Sequence, residues 1–237
     1  TDHKMNYKII VTLGEDELLD YKNPAIKEAD ILEIRLDLLE ISFIKEKLSP
    51  ILKELRKSVL LTYRNPKDSS EASNTSLTYG DISDFLLEFN SENNYLDIEL
   101  DQEKSIFDSI PDSRYTVIYS YHNFSSSITK QEMLDWISKK QNAICIYKFA
   151  VSPNSISDLE KFLEDLKSIS TQFKVIGIAM GEIGVYSRLF GDRFGSIATY
   201  CCTGKPRAPG QVNVSTLLKI REDYNDKPLP EIDFKIR

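Results

Sequence analysis

The feature that most constrains this chain is an alternation of short β-like runs with longer amphipathic ones, sustained from Tyr7 to Tyr224. Eight runs rich in Ile, Val, Leu and Tyr stand between polar or turn residues: Tyr7–Leu13, Asp30–Asp37, Ser58–Arg64, Tyr95–Leu100, Tyr115–His122, Ala143–Val151, Phe173–Met180 and Gly195–Tyr200. Helical periodicity follows in Phe43–Lys57, Ser76–Phe89, Gln131–Lys140, Ser157–Ser168 and Val214–Tyr224. Thr129, Asn154 and Ser157 are candidate N-caps, and Thr129 with Glu132 matches a capping box. Eight β-runs, each followed by a helical run, predict a single-domain α/β fold, the closed (β/α)8 TIM barrel. The rival, an open doubly wound sheet, wants a GxGxxG turn after its first strand. Here that place reads Leu13-Gly14-Glu15-Asp16. The barrel is expected over residues 7–226, after an extension or cloning remnant at 1–6 and before a loose tail at 227–237; the polar Ser69–Ser76 stretch reads as a loop.

Side-chain parity then says what fills the barrel. Successive strand residues face opposite ways, and the outer face must be apolar to meet the helices. In Asp30–Asp37 the apolar Leu32, Ile34 and Leu36 go outward, so Glu33, Arg35 and Asp37 point inward. The same rule turns Asp97 and Glu99, Thr62 and Arg64, and Ser120 and His122 inward. Lys148 is the lone charge of its run, flanked on the opposite face by Tyr147 and Phe149. A desolvated lysine loses basicity and gains nucleophilicity, the property needed to form a Schiff base. Most of these charges come late in their strands, where barrel active sites lie.

Each residue alone has a plainer reading. Glu33, Arg35 and Glu99 could form a structural ion network, His122 a satisfied core histidine, and Lys148 a rim cation that holds a carboxylate or phosphate. Together they favour chemistry on a small anion.

Composition narrows the chemistry further. The 237 residues include two histidines, His3 and His122, so a histidine-rich metal site is excluded and imidazole chemistry falls to His122. Three cysteines, Cys145, Cys201 and Cys202, make a poor disulfide framework and suit a reducing cytoplasm. A net charge of −7 with mixed signs gives no footprint for nucleic acid or an anionic membrane. No apolar run approaches the ~20 residues of a membrane span, and the start TDHKMNYK has no signal-peptide core.

With these residues assembled, the chain resembles the type I 3-dehydroquinate dehydratases. The carriers are Glu33-Ile34-Arg35-Leu36-Asp37, Thr62-Tyr63-Arg64, Tyr95 to Glu99, Ser120-Tyr121-His122, Tyr147-Lys148-Phe149-Ala150, Met180-Gly181 with Ser187-Arg188, Phe194-Gly195-Ser196 with Thr199-Tyr200, and Ala208-Pro209-Gly210-Gln211. The resemblance implies dehydration of 3-dehydroquinate to 3-dehydroshikimate in the shikimate pathway of aromatic amino acid biosynthesis, with no metal or other cofactor. It assigns the Schiff base to Lys148 and general acid–base work to His122. It gives the substrate carboxylate to Arg188, the hydroxyls to Glu33, Arg35 and Arg64, and the lid to Gln211. Thr12 stands where the family often has serine, Met180 offers an apolar wall, and Asp97 and Glu99 are supporting carboxylates. A homodimer is implied by resemblance alone.

Two departures stand out. The family's lid commonly reads Ser-Ala-Pro-Gly-Gln, whereas Arg207 precedes Ala208 here and is expected to reach the substrate carboxylate. After Arg64, where many members have a Glu-Gly-Gly-like loop, this chain has Asp68-Ser69-Ser70, leaving Glu99 as the alternative carboxylate to orient the histidine. Two other functions compete: a class I aldolase or transaldolase using the same lysine chemistry, for which Gly191, Gly195 and Ser196 would supply a phosphate site, and a non-catalytic barrel that binds a small anion.

Overall fold

The computed structural model of the chain describes residues 7–66, 69, 76–141, 144–224 and 227–231. His3, Asp68, Ser70 and the ends of the chain at 1–6 and 232–237 lie outside the described residues.

Eight parallel strands form the wall: β1 Lys8–Leu13, β2 Ile31–Arg35, β3 Ser58–Thr62, β4 Tyr95–Glu99, β5 Thr116–His122, β6 Cys145–Val151, β7 Val175–Ala179 and β8 Ala198–Cys202. Their order, β7-β6-β5-β4-β3-β2-β1-β8, places the first strand beside the last. The seam between β7 and β8 closes through a parallel bridge from Val175 to Ser196, with Ile197 N donating to Val175 O at 3.0 Å. A two-residue strand, β9 Val212–Asn213, pairs with the end of β8. The wall is thus a TIM barrel.

The helices are α1 Glu15–Leu19, α2 Pro24–Lys27, α3 Ile41–Phe43, α4 Ser49–Leu55, α5 Tyr79–Glu88, α6 Lys130–Lys139, α7 Ile156–Ile169, α8 Val185–Phe190 and α9 Val214–Asp223. A π-wound turn, Ile44–Leu48, joins α3 to α4. Thr129 caps α6, its hydroxyl accepting from Glu132 N at 3.1 Å. Ser155 caps α7, accepting from Asp158 N at 3.1 Å, and not Asn154 or Ser157.

The expected alternation needs correction after β4. Residues 100–115 contain no helix; turns there bury Phe107 and Ile110 in the place a helix face would occupy. Asp101, Asp108, Pro111 and Asp112 explain the outcome, because they favour turns over a continuous helix. The last strand also starts three residues later than its hydrophobic run, since the left-handed Gly195 and the closing bridge use up the start of that run.

Two apolar clusters form the core, and they divide by strand parity. The larger, between strands and helices, contains Leu32, Ile34, Leu36, Leu61, Leu96, Leu100, Tyr147 and Phe149. The smaller fills the lower barrel with Ile10, Ile31, Leu60, Ile118, Ile146 and Ile176. Above that plug the same inward faces turn polar, so the hydrophobic floor ends where the ionisable groups begin.

Candidate active site

At the C-terminal ends of the strands lies a solvent-open cavity of about 490 Å³, the space at its mouth included. Its wall includes Thr12, Glu33, Arg35, Arg64, His122, Lys148, Met180, Arg188, Arg207 and Gln211, the residues singled out from the sequence as catalytic, substrate-binding or apolar wall. The two supporting carboxylates, Asp97 and Glu99, are buried outside that lining and act on Arg64.

Lys148 rises from the middle of β6, where its Cα pairs with Ser120 of β5. It is 5% exposed, and its Nζ lies 3.9 Å from the centroid of the Tyr200 ring. Desolvation and the nearby Arg64 charge outweigh the pull of Asp97 and Glu33, and the amine is lowered to about 8. His122 ends β5, one strand over and two residues beyond Lys148's neighbour. Its ring stacks on Phe124, with centroids 6.3 Å apart, and its Nδ1 is buried without a hydrogen-bond partner. Burial, followed by the charges of Arg64, Lys148 and Arg35, holds the imidazole well below its ordinary range, so it is neutral at pH 7.

The carboxylates are spoken for. Glu33 accepts from Thr12 Oγ1 at 2.9 Å and from Thr62 Oγ1 at 2.8 Å. Arg35 grips Asp37 in a bidentate pair at 2.9 and 2.7 Å and donates to Ser69 Oγ at 3.1 Å. Arg64 grips Asp97 at 2.8 and 3.0 Å and touches Glu99 at 3.3 Å. Burial raises the Asp97 carboxyl, but the Arg64 and Lys148 charges and the hydrogen bonds from Arg64 and Ser120 hold it below the usual range. Glu99 Oε1 also accepts from Asn65 N at 3.0 Å.

Arg188 is different. It lies on α8, which Ser187 pins to β7: the hydroxyl accepts from Ala179 N at 2.9 Å and donates to Gly184 O at 2.6 Å. The guanidinium is 1% exposed, donates to the neutral Pro209 carbonyl at 2.9 Å, and leaves Nε without a partner. Desolvation lowers it to about 10, the direction expected of a cation lacking an anion.

The loop 203–211 roofs the cavity. Gln211 Nε2 donates to Thr12 Oγ1 at 3.1 Å, and its Oε1 accepts from Arg207 N at 2.6 Å. Gly181 N donates to Pro209 O at 3.1 Å, and a Cβ on Gly210 (φ +77°) would meet Gly181 O at 2.4 Å. Arg207 is held by Glu17 through two-point contact.

Three participants were not foreseen. Tyr200, under Lys148, stands in the sequence only as part of the Thr199-Tyr200 pair, with no role of its own. Phe124 and Glu17 carried no signal, one lying past a strand end and the other 190 residues from its partner. Conversely, the glycines proposed for a phosphate site serve packing. Gly191 abuts the Tyr7 hydroxyl, and Ser196 Oγ accepts from Gly177 N at 3.1 Å. Among the described residues, no group of three or more His, Cys, Asp or Glu side chains is arranged to hold a metal ion, and no helix is long and apolar enough to cross a membrane.

Known proteins settle which barrel this is. Residues 9–226 match the model of the type I 3-dehydroquinase family. The chain belongs to the type I 3-dehydroquinase family. A 3-dehydroquinate dehydratase of Methanococcus vannielii is 32% identical over 219 residues, covering 90% of this chain and 95% of that protein. One from Staphylococcus haemolyticus is 30% identical over 224 residues, covering 89% and 90%. The crystal structure of the Aquifex aeolicus 3-dehydroquinate dehydratase superposes with a TM-score of 0.74 at 26% identity, covering 92% of this chain and 99% of that one.

Proposed function

We propose that this family member dehydrates 3-dehydroquinate through an iminium on Lys148, with His122 as the proton carrier and Arg188 as the carboxylate clamp. Family membership supplies the reaction, that of a hydro-lyase in the shikimate pathway. The observation that carries the residue roles is one cavity lined by a lysine lowered to about 8, a neutral histidine and an arginine whose Nε is unmatched.

The steps follow from those properties. The Lys148 lone pair attacks the ketone carbon, and loss of water leaves an iminium. That cation makes the neighbouring C–H acidic, so a base as weak as His122 suffices to take the proton. The C–H electrons move toward nitrogen, giving an enamine. Returning, they expel the hydroxyl from the carboxylate-bearing carbon, and the imidazolium protonates it as it leaves. Hydrolysis of the conjugated iminium releases 3-dehydroshikimate and restores the amine. Arg188 holds the carboxylate as a fork. Glu33, Arg35, Arg64 and Thr12 orient the ring hydroxyls, Met180 backs the ring, and Gln211 and Arg207 close the roof. Asp97 and Glu99 keep Arg64 in place. The same reading makes the enzyme cytoplasmic and homodimeric, needing no metal or other cofactor; the dimer rests on resemblance alone.

His122→Ala tests the division of labour. The variant is expected to form the borohydride-trapped adduct while losing nearly all formation of the enone product, read by ultraviolet absorbance. Dehydration at the wild-type rate would remove His122 from the mechanism.

A further inference from the structure

The roof of the cavity is tied to α1, the helix after the first strand, by a contact the family lid motif does not contain. Arg207 precedes Ala208, where that motif carries a serine. Its guanidinium donates from Nε to Glu17 Oε1 at 3.0 Å and from Nη2 to both Glu17 oxygens at 2.5 Å. The two side chains are 9% and 10% exposed, so water screens the pair weakly. Glu17 is itself fixed, because its Oε2 accepts from Gly14 N at 3.0 Å. The approach is close enough that a Cβ on Gly14 would sit 2.8 Å from Arg207 Nη2. A side chain at position 14 would have to push the Arg207 guanidinium aside. The same Arg207 offers its backbone N–H to Gln211 Oε1, and Gln211 in turn reaches Thr12, which bonds Glu33. One continuous chain of polar contacts runs from Glu17 through the roof to the cavity wall.

We infer that Glu17 is a positioning residue that latches the 203–211 lid through Arg207 and so orders Gln211 over the cavity before substrate arrives. The kinetic part of this inference rests on the dehydratase reading above; the lid ordering does not. A serine at position 207 would leave closure to contacts with the bound substrate. An arginine locked to α1 supplies closure in the free protein. Preordering removes part of the ordering cost from binding, and it also slows the passage of substrate and product. Glu17 touches no substrate in this scheme; it acts through Arg207 alone.

Hydrogen–deuterium exchange of the ligand-free protein, read by mass spectrometry on the peptide spanning 203–211, tests the latch directly. Glu17→Gln and Arg207→Ser should each speed exchange there by about tenfold or more, the effect of losing a charge-assisted pair. The rest of the barrel should be unchanged. The double variant should exchange no faster than either single one. Exchanging the charges, Glu17→Arg with Arg207→Glu, should restore much of the protection, which a merely structural role for either residue would not predict. In steady-state assays with 3-dehydroquinate, Glu17→Gln should raise KM several-fold and leave kcat within about twofold. Wild-type exchange and wild-type KM in Glu17→Gln would overturn the latch. If the wild-type chain does not convert 3-dehydroquinate, the dehydratase reading fails while the exchange result still decides the latch.

Discussion

The Lys148 ammonium sits 3.9 Å from the centroid of the Tyr200 ring, so this side chain projects from β6 onto an aromatic floor supplied by β8. The Tyr200 hydroxyl is buried and has no hydrogen-bond partner. Burying it unpaired is costly, whereas the ring face attracts the ammonium. Tyr200→Phe is expected to keep activity within about twofold and raise stability by roughly 1 kcal/mol. Tyr200→Leu takes away an attraction for the ammonium, so more of the amine should be free at pH 7 and adduct formation should quicken, by about tenfold at most. Denaturant titration and trapping rates check both; a large loss of activity in Tyr200→Phe would mean that the hydroxyl itself takes part.

Lysine and histidine have opposite consequences for the pH profile. His122 is held well below its ordinary range and stays neutral across neutral pH, whereas Lys148 at about 8 is mostly protonated at pH 7. In the proposed mechanism only the free amine attacks, so kcat/KM should climb about tenfold per pH unit up to a bend near pH 8. An acid limb bending near 6.5 would assign the limiting proton to an ordinary histidine instead.

Burying Lys148 should cost stability. Its amine falls from 10.5 to about 8 on folding, so between those values the unfolded chain holds more protons and stability rises with pH. The penalty is complete below pH 8 and gone above 10.5, with a magnitude of roughly 3 kcal/mol. Lys148→Met should therefore be inactive yet more stable than wild type at pH 7, by up to that amount. The gain should shrink between pH 8 and 10.5. Equal stability at pH 7 and at pH 10 relative to wild type would contradict this cost.

Arg188 should discriminate by shape as well as charge. Arg188→Lys keeps a cation but loses the fork, and the shorter head leaves the Pro209 carbonyl without its donor. The expected result is a KM raised by about tenfold or more, with a smaller fall in kcat. Steady-state kinetics decide it, and an unchanged KM would take the carboxylate away from Arg188.

Much of this site was legible because strand alternation is a strict rule. Once Leu32, Ile34 and Leu36 were assigned outward, Glu33 and Arg35 had to face the barrel, and both line the cavity. Lys148 stood out for the same reason, a charge in an otherwise apolar strand. Arg188 did not: it comes from a six-residue helix, and only the family motif singled it out. The Arg207–Glu17 pair spans 190 residues, and no local pattern encodes such a meeting. The missing helix after β4 went unread because its turn residues surround buried Phe107 and Ile110, whose spacing also suits a helix.

The most direct measurement is the mass of the protein after borohydride reduction in the presence of 3-dehydroquinate. The mechanism predicts a stable covalent adduct, mapped by peptide sequencing to Lys148 and absent in Lys148→Met. An enzyme that turns over the substrate yet gives no mass shift, or one that carries the adduct on another lysine, would contradict it.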